Sequence, residues 1–170
     1  MSGKNIKFLF VGILFILSIG MSAMLYPDLP ARYPVHFGLS GAPDRWADKS
    51  LVSWFLVPGV GGFILASLYG ATVFTRKKPE LINIINKEKF LRMSDAEREP
   101  VFNAMDNLFV TIGTSEQLLF GFIQYELYTA AVYPPGNIGT LLLPVIMGFS
   151  VVTLLIVCWF LVKISSAMKA

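Results

Sequence analysis

The chain has little with which to do chemistry in water. Its single cysteine, Cys158, excludes an internal disulfide, and inside an apolar run it reads as a small packing residue. Its single histidine, His36, has no nucleophile motif to work with, which excludes a Ser-His-acid hydrolase. Charged residues make up only 15% of the 170, and they come in clumps, which excludes an ordinary soluble domain. Gly59-Val60-Gly61-Gly62 follows no strand, so it is not a phosphate loop. Nor is there the alternating pattern that a membrane barrel needs.

What the chain does have is apolar length. Hydrophobic residues account for 55%, and mean hydropathy is +0.64. Four runs are long enough to cross a bilayer, at about 20 apolar residues each. They cover residues 6–25, 51–75, 108–133 and 138–162. In lipid such runs form helices, because unpaired backbone groups find no water there. The first run has a basic start and a small-x-small site at Ser18-Ile19-Gly20, but it is long for a cleaved signal and is expected to be a retained anchor. The expected fold is an all-α integral membrane protein, with residues 1–170 forming one domain of four transmembrane helices.

Basic residues set the expected orientation. Of the 14 Lys and Arg, only Arg32, Arg45 and Lys49 lie in the 26–50 loop, while the other eleven lie at the termini or in segment 76–107. The positive-inside rule then puts both termini in the cytoplasm of a bacterial inner membrane and the 26–50 loop outside. In the cytoplasmic segment, Pro79 is expected to open a short amphipathic helix with Leu81, Ile84 and Ile85 on one face. Ser94-Asp95-Ala96-Glu97 is a capping box for a further helix, which Pro100 is expected to interrupt. Acidic residues dilute this segment, so its expected partner is anionic lipid and not nucleic acid.

Gly62, Ala66 and Gly70 recur every four residues in the second run and are expected to pack against a neighbouring helix. In the third run, Glu116, Gln117 and Gln124 share a face at about 100° per residue, with Glu126 pointing nearly opposite Gln117. A charge at mid-bilayer costs on the order of 3 kcal/mol, so Glu116 needs a partner, a cavity or a proton. Gln117 and Gln124 can supply donors to it. Two readings stay open: hydrogen-bonded glue between helices, or a ligand, ion or proton site.

The 26–50 loop begins with three prolines that favour an extended path, continues through turn residues in Leu39-Ser40-Gly41-Ala42-Pro43-Asp44, and carries Trp46 as a headgroup-level anchor. Ser50 is placed to cap the next helix. His36 with Asp44 or Asp48 makes two ligands where zinc takes three or four, so no metal or other cofactor is expected. Instead His36, Asp44 and Lys49 are expected to tie the loop together by hydrogen bonds.

Leu29, Pro30, Pro34, His36, Phe37, Gly41, Asp44, Trp46 and Lys49 are spaced as in a bacterial membrane domain of unknown function that also begins the SdpI-type immunity proteins, and residues of roughly 10–65 resemble it. Gly38 stands where that family often has Asn, and fewer spans follow here than in the immunity proteins. The resemblance implies a loop held between two spanning helices. The function expected is a non-enzymatic binding protein of SdpI-like type. It would recognise a peptide, toxin or partner through the loop (His36, Asp44, Trp46, Lys49) and the polar helix faces (Glu116, Gln117, Gln124, Glu126). Two alternatives are a small accessory subunit of a larger membrane complex, and a transporter or enzyme component that uses Glu116.

Overall fold

The computed structural model describes residues 3–133 and 139–168. Five helices and one hairpin follow in chain order: α1 (Gly3–Leu25), β1 (Arg32–Phe37), β2 (Pro43–Asp48), α2 (Leu51–Lys77), α3 (Lys87–Arg92), α4 (Asp95–Val132) and α5 (Gly139–Ala167). Three stretches, Asn5–Asp28, Leu51–Lys77 and Leu142–Ala167, are helical, long and apolar enough to cross a membrane. The expected run 108–133 forms the second half of α4, which carries Glu116 and Glu126. Ile138, where the last expected run begins, lies outside the described residues.

α1, α2 and α4 pack against one another, and α5 lies on α4. Where α1, α2 and α4 meet, glycines let side chains of the neighbouring helices come close. Val11 of α1 and Leu68 of α2 approach Gly113 so closely that a Cβ there would lie 3.3 and 3.4 Å from them. A Cβ on Gly61 would stand 3.0 Å from the Phe120 ring. Such close approach is how helices associate without a hydrophobic driving force between them.

The three residues of the expected small-residue strip differ in their surroundings within this chain. A Cβ on Gly62 would lie 2.8 Å from the Phe15 ring of α1, yet at Gly70 nothing comes within 4 Å. Ala66 is exposed. The close contact with α4 falls one residue earlier, at Gly61. The four-residue repeat marks one contact at its first member and none at its last.

Three other expectations need correction. The first is the all-α class: the 26–50 loop contains an antiparallel pair, β1 with β2. The second is the amphipathic helix from Pro79. There is a 3-10 turn at Pro79–Leu81, then an irregular stretch that ends at Asn86 in the left-handed region (φ 58°), and only then the short α3. Ile82 is buried against α4 and α5 while Leu81 and Ile85 are exposed, so the apolar residues do not share one helical face. The third is Pro100. It lies in the second turn of α4, where it removes one bond to the Ala96 carbonyl, and Ala96 is exposed to water that can replace it. The capping box forms as expected and starts the helix: Ser94 N and Oγ both donate to Glu97 Oε2 at 2.7 Å.

Two clusters close the ends of the bundle. At the basic end, Phe90, Val101, Phe102, Leu108, Phe160 and Ile164 pack α3, α4 and α5 together. Here Arg76 of α2 donates to Asp106 and Glu99 of α4, each at 2.7 Å, with the guanidinium 4.9 Å from the Phe102 ring. Asp106 is 3% exposed, so this pair is shielded from water. At the other end, Tyr33 of β1 and Trp54 of α2, each 1% exposed, meet edge to face at 5.6 Å against Leu29 and Leu127. Such a pair is worth about 1 kcal/mol beyond its burial.

Candidate functional site

The hairpin is bound to the bundle by side chains that sequence analysis assigned and by several it did not. Lys49 Nζ donates to the carbonyls of Pro27 and Leu29 at 2.9 Å each and sits 5.1 Å from the Tyr26 ring. Its backbone N–H donates to Ala31 at 2.8 Å. Lys49 therefore straps the end of α1 to the end of β2, and its charge is used internally. Ser50 caps α2 as expected, in a box with Ser53, and Ser53 Oγ also donates to the Asp48 carbonyl at 2.9 Å. Trp54 Nε1 donates to the Ser22 carbonyl of α1 at 2.7 Å. The base of the hairpin is thus tied to the start of α2 and to the segment that follows α1.

Two irregularities shape the outer half of the hairpin. Pro34 pairs with Trp46 and His36 with Arg45, so Val35 is an extra residue; Phe37 pairs with Pro43, so Asp44 is another. Bulges of this kind re-aim side chains. They bring His36 Nδ1 to 2.5 Å from Asp44 Oδ1, although the two are not register partners. Gly41 makes the turn with φ 77°, a conformation that L side chains rarely adopt. Gly38 lies so close to Asp44 that a Cβ there would sit 3.4 Å from its Oδ2.

The exposed surface of the hairpin mixes apolar and polar groups. Leu39 at the tip is 90% exposed, and Trp46 and Val35 are also exposed. The His36–Asp44 pair is about half exposed, open to a ligand on one side. Among the described residues, no three His, Cys, Asp or Glu side chains converge on one point. Of the four loop residues expected to bind, His36, Asp44 and Trp46 face outward and Lys49 lies behind them.

On the polar face of α4 the two glutamines join helices, as the first of the two open readings expected. Gln124 Nε2 donates to the Trp54 carbonyl at 3.1 Å, and Gln117 Nε2 to the Gly61 carbonyl at 2.9 Å. Both glutamines are buried. Neither donates to Glu116. The Trp54 carbonyl lies four residues before Pro58, which has no N–H to give it, so Gln124 supplies the bond the helix lacks. Among the described residues, Oε2 of Glu116 and Oε2 of Glu126 are buried without a hydrogen-bond partner. The four polar residues do not form one cluster: two are joints between helices, and two are isolated carboxyls.

Pro58, Ser22 and the pair of Arg76 with Asp106 were not among the candidate residues of the sequence. A proline inside an apolar run signals a free carbonyl four residues earlier, so Pro58 was findable. Which donor fills the gap depends on how α2 and α4 pack.

No curated protein and no solved structure matches the chain. Residues 13–62, under a third of the 170, match the family described as a domain of unknown function (DUF1648). That stretch takes in most of α1, the whole hairpin with its Lys49 strap, and α2 as far as Gly62, so what this chain shares with that domain is the unit that holds the hairpin.

Proposed function

We propose that this chain is a non-enzymatic binding protein of a bacterial inner membrane, with four spans, both termini in the cytoplasm and the hairpin outside. The 26–50 hairpin recognises a secreted peptide, a toxin or the outer surface of a partner subunit, in the manner suggested by the resemblance to SdpI-type immunity proteins. One observation carries this reading: a hairpin fastened to two helices by Lys49, Ser53 and Tyr33–Trp54 nevertheless exposes Leu39, Trp46 and the His36–Asp44 pair. A fixed backbone with exposed aromatic and aliphatic anchors lowers the ordering cost of binding. The split of basic residues supports the orientation.

Two experiments test it. Cysteine at Ser40 should react with an impermeant thiol reagent in intact cells and cysteine at Asn86 should not; the reverse pattern overturns the orientation. A photo-crosslinker at Leu39 should give a discrete peptide or protein adduct that Trp46→Ser abolishes. Adducts identical to those from Met147, an exposed residue of α5, would mean that Leu39 merely faces lipid, and the reading fails.

A second reading has its own observation, the buried and unpartnered Oε2 of Glu116. On that reading Glu116 handles protons or ions. Glu116→Gln would then leave assembly intact while removing the biological phenotype, whereas under the first reading the phenotype survives.

A further inference from the structure

The basic end of the bundle contains a cavity of about 490 Å³ between the end of α2, the irregular stretch before α3, the first half of α4 and the end of α5. This is well inside the range of about 300–1,000 Å³ typical of small-ligand sites. Its walls include Phe74, Ile82, Ile84, Met105, Leu108 and Ile164, with Thr75, Asn83 and Ser165 as polar members and no charged residue. Phe74, Leu81, Ile85 and Leu161 belong to the same lining and are largely exposed, so the apolar surface continues outward.

The charge around this lining is of one predominant sign. Arg76, Lys77 and Lys78 directly follow Thr75 of the lining, Lys163 falls between Leu161 and Ile164, and Lys87 and Lys89 come just after Ile85. Glu80, beside Leu81, Asp106, beside Met105, and Glu88 are the nearby acids in sequence. Arg76 is held by Asp106 and Glu99, which leaves Lys77 and Lys78 as exposed cations at the end of α2. An apolar slot whose lining is followed in sequence by exposed lysines, at the ends of membrane-length helices, matches an amphiphile with an acyl chain and an anionic head.

We infer that this cavity holds one acyl chain of an anionic phospholipid, whose phosphate is met by Lys77 and Lys78. The site lies at the opposite end of the molecule from the hairpin. The inference rests on the membrane placement proposed above but not on what the hairpin binds, and it survives a reversed orientation, which would only move the site to the other leaflet.

The test is native mass spectrometry of the full chain in detergent, titrated with phosphatidylglycerol and, separately, with phosphatidylcholine of the same acyl chains. One phosphatidylglycerol should be retained at a concentration about fivefold lower than phosphatidylcholine. Lys77→Glu with Lys78→Glu should remove that preference and leave chain occupancy. Ile84→Trp, which fills the slot, should remove retention of both lipids while the thermal transition persists. Should Ile84→Trp unfold the protein, Ser165→Phe fills the same slot from α5. Equal retention of the two lipids, or retention unchanged in the filled variant that folds, overturns the inference. The Leu39 crosslink is a separate readout, so failure of either reading is distinguishable from failure of the other.

Discussion

Gln124 of α4 bonds the Trp54 carbonyl of α2 at 3.1 Å, at the place where Pro58 has removed the helix's own donor. The same Trp54 turns its indole N–H to Ser22 of α1. One residue therefore joins three helices through two of its polar groups, and its ring supports the hairpin through Tyr33. If Gln124 is a replacement donor, its value depends on the proline. Gln124→Leu should cost about 1 kcal/mol in reversible unfolding in mixed micelles, the scale of such bonds between membrane helices. In a Pro58→Ala background, where residue 58 regains its N–H, the same change should cost less than half as much. Equal costs in both backgrounds would show that Gln124 acts by some other contact.

The glycines of α2 should separate cleanly. Gly62→Ala puts a methyl 2.8 Å from the Phe15 ring and forces that ring to move, so we expect a loss of about 1 kcal/mol. Gly70→Ala meets nothing within 4 Å and should be neutral or stabilising by a few tenths of a kcal/mol, through better helix propensity. The same unfolding assay reads both. A larger penalty at Gly70 would revive the strip as a docking surface for another chain.

Removing Asp106 should hurt far more than removing Glu99, although both bond Arg76 at 2.7 Å. Asp106 is almost wholly buried, whereas the Glu99 side chain is 52% exposed. Asp106→Ala strands a mostly buried guanidinium that keeps only its Glu99 bond, and should cost about 2 kcal/mol. Glu99→Ala should cost under about 1 kcal/mol, as surface pairs do. Thermal stability in detergent distinguishes them, and equal effects would mean that water reaches the pair.

Acid should loosen the start of α4. Hydrogen bonds from the Ser94 hydroxyl and backbone N–H to the Glu97 carboxylate, with a smaller contribution from Lys89, hold its pKa below the usual glutamate value. A carboxyl lowered in this way stabilises the folded cap above its unfolded pKa and loses that contribution as pH falls through the folded one. Amide exchange over residues 94–98, corrected for intrinsic rates, should therefore lose protection below about pH 4. Glu97→Gln should show lower protection at neutral pH and no such acid step.

The long apolar helices and both serine caps were legible because hydropathy and local spacing determine them. Ser50 and Ser94 needed only their own neighbours three residues on. The hairpin was not legible, because Arg32-Tyr-Pro-Val-His-Phe does not alternate and the extra residues Val35 and Asp44 break the period of two. Its turn residues and the His36–Asp44 tie were readable all the same. Arg76 with Asp106 was hidden for another reason: each is unremarkable at the edge of its own run, and their pairing exists only once α2 and α4 are antiparallel neighbours. The polar face of α4 was visible as a pattern, but its partners are backbone carbonyls of another helix, which carry no sequence signature.

The Gln124 joint also bears on how the protein is made. Gln124 follows Trp54 by 70 residues, so on any insertion order that follows the chain, α2 is synthesised well before its missing donor. Until α4 arrives, the carbonyl at Trp54 must take its hydrogen bond from water or from the insertion machinery. The N-terminal unit of α1, hairpin and α2 is therefore incomplete as a biosynthetic intermediate, even though its strap and caps are already in place. A chain truncated after α2 should be held by the translocation apparatus or by quality-control proteases for longer than one that ends after α4, and Pro58→Ala should shorten that delay.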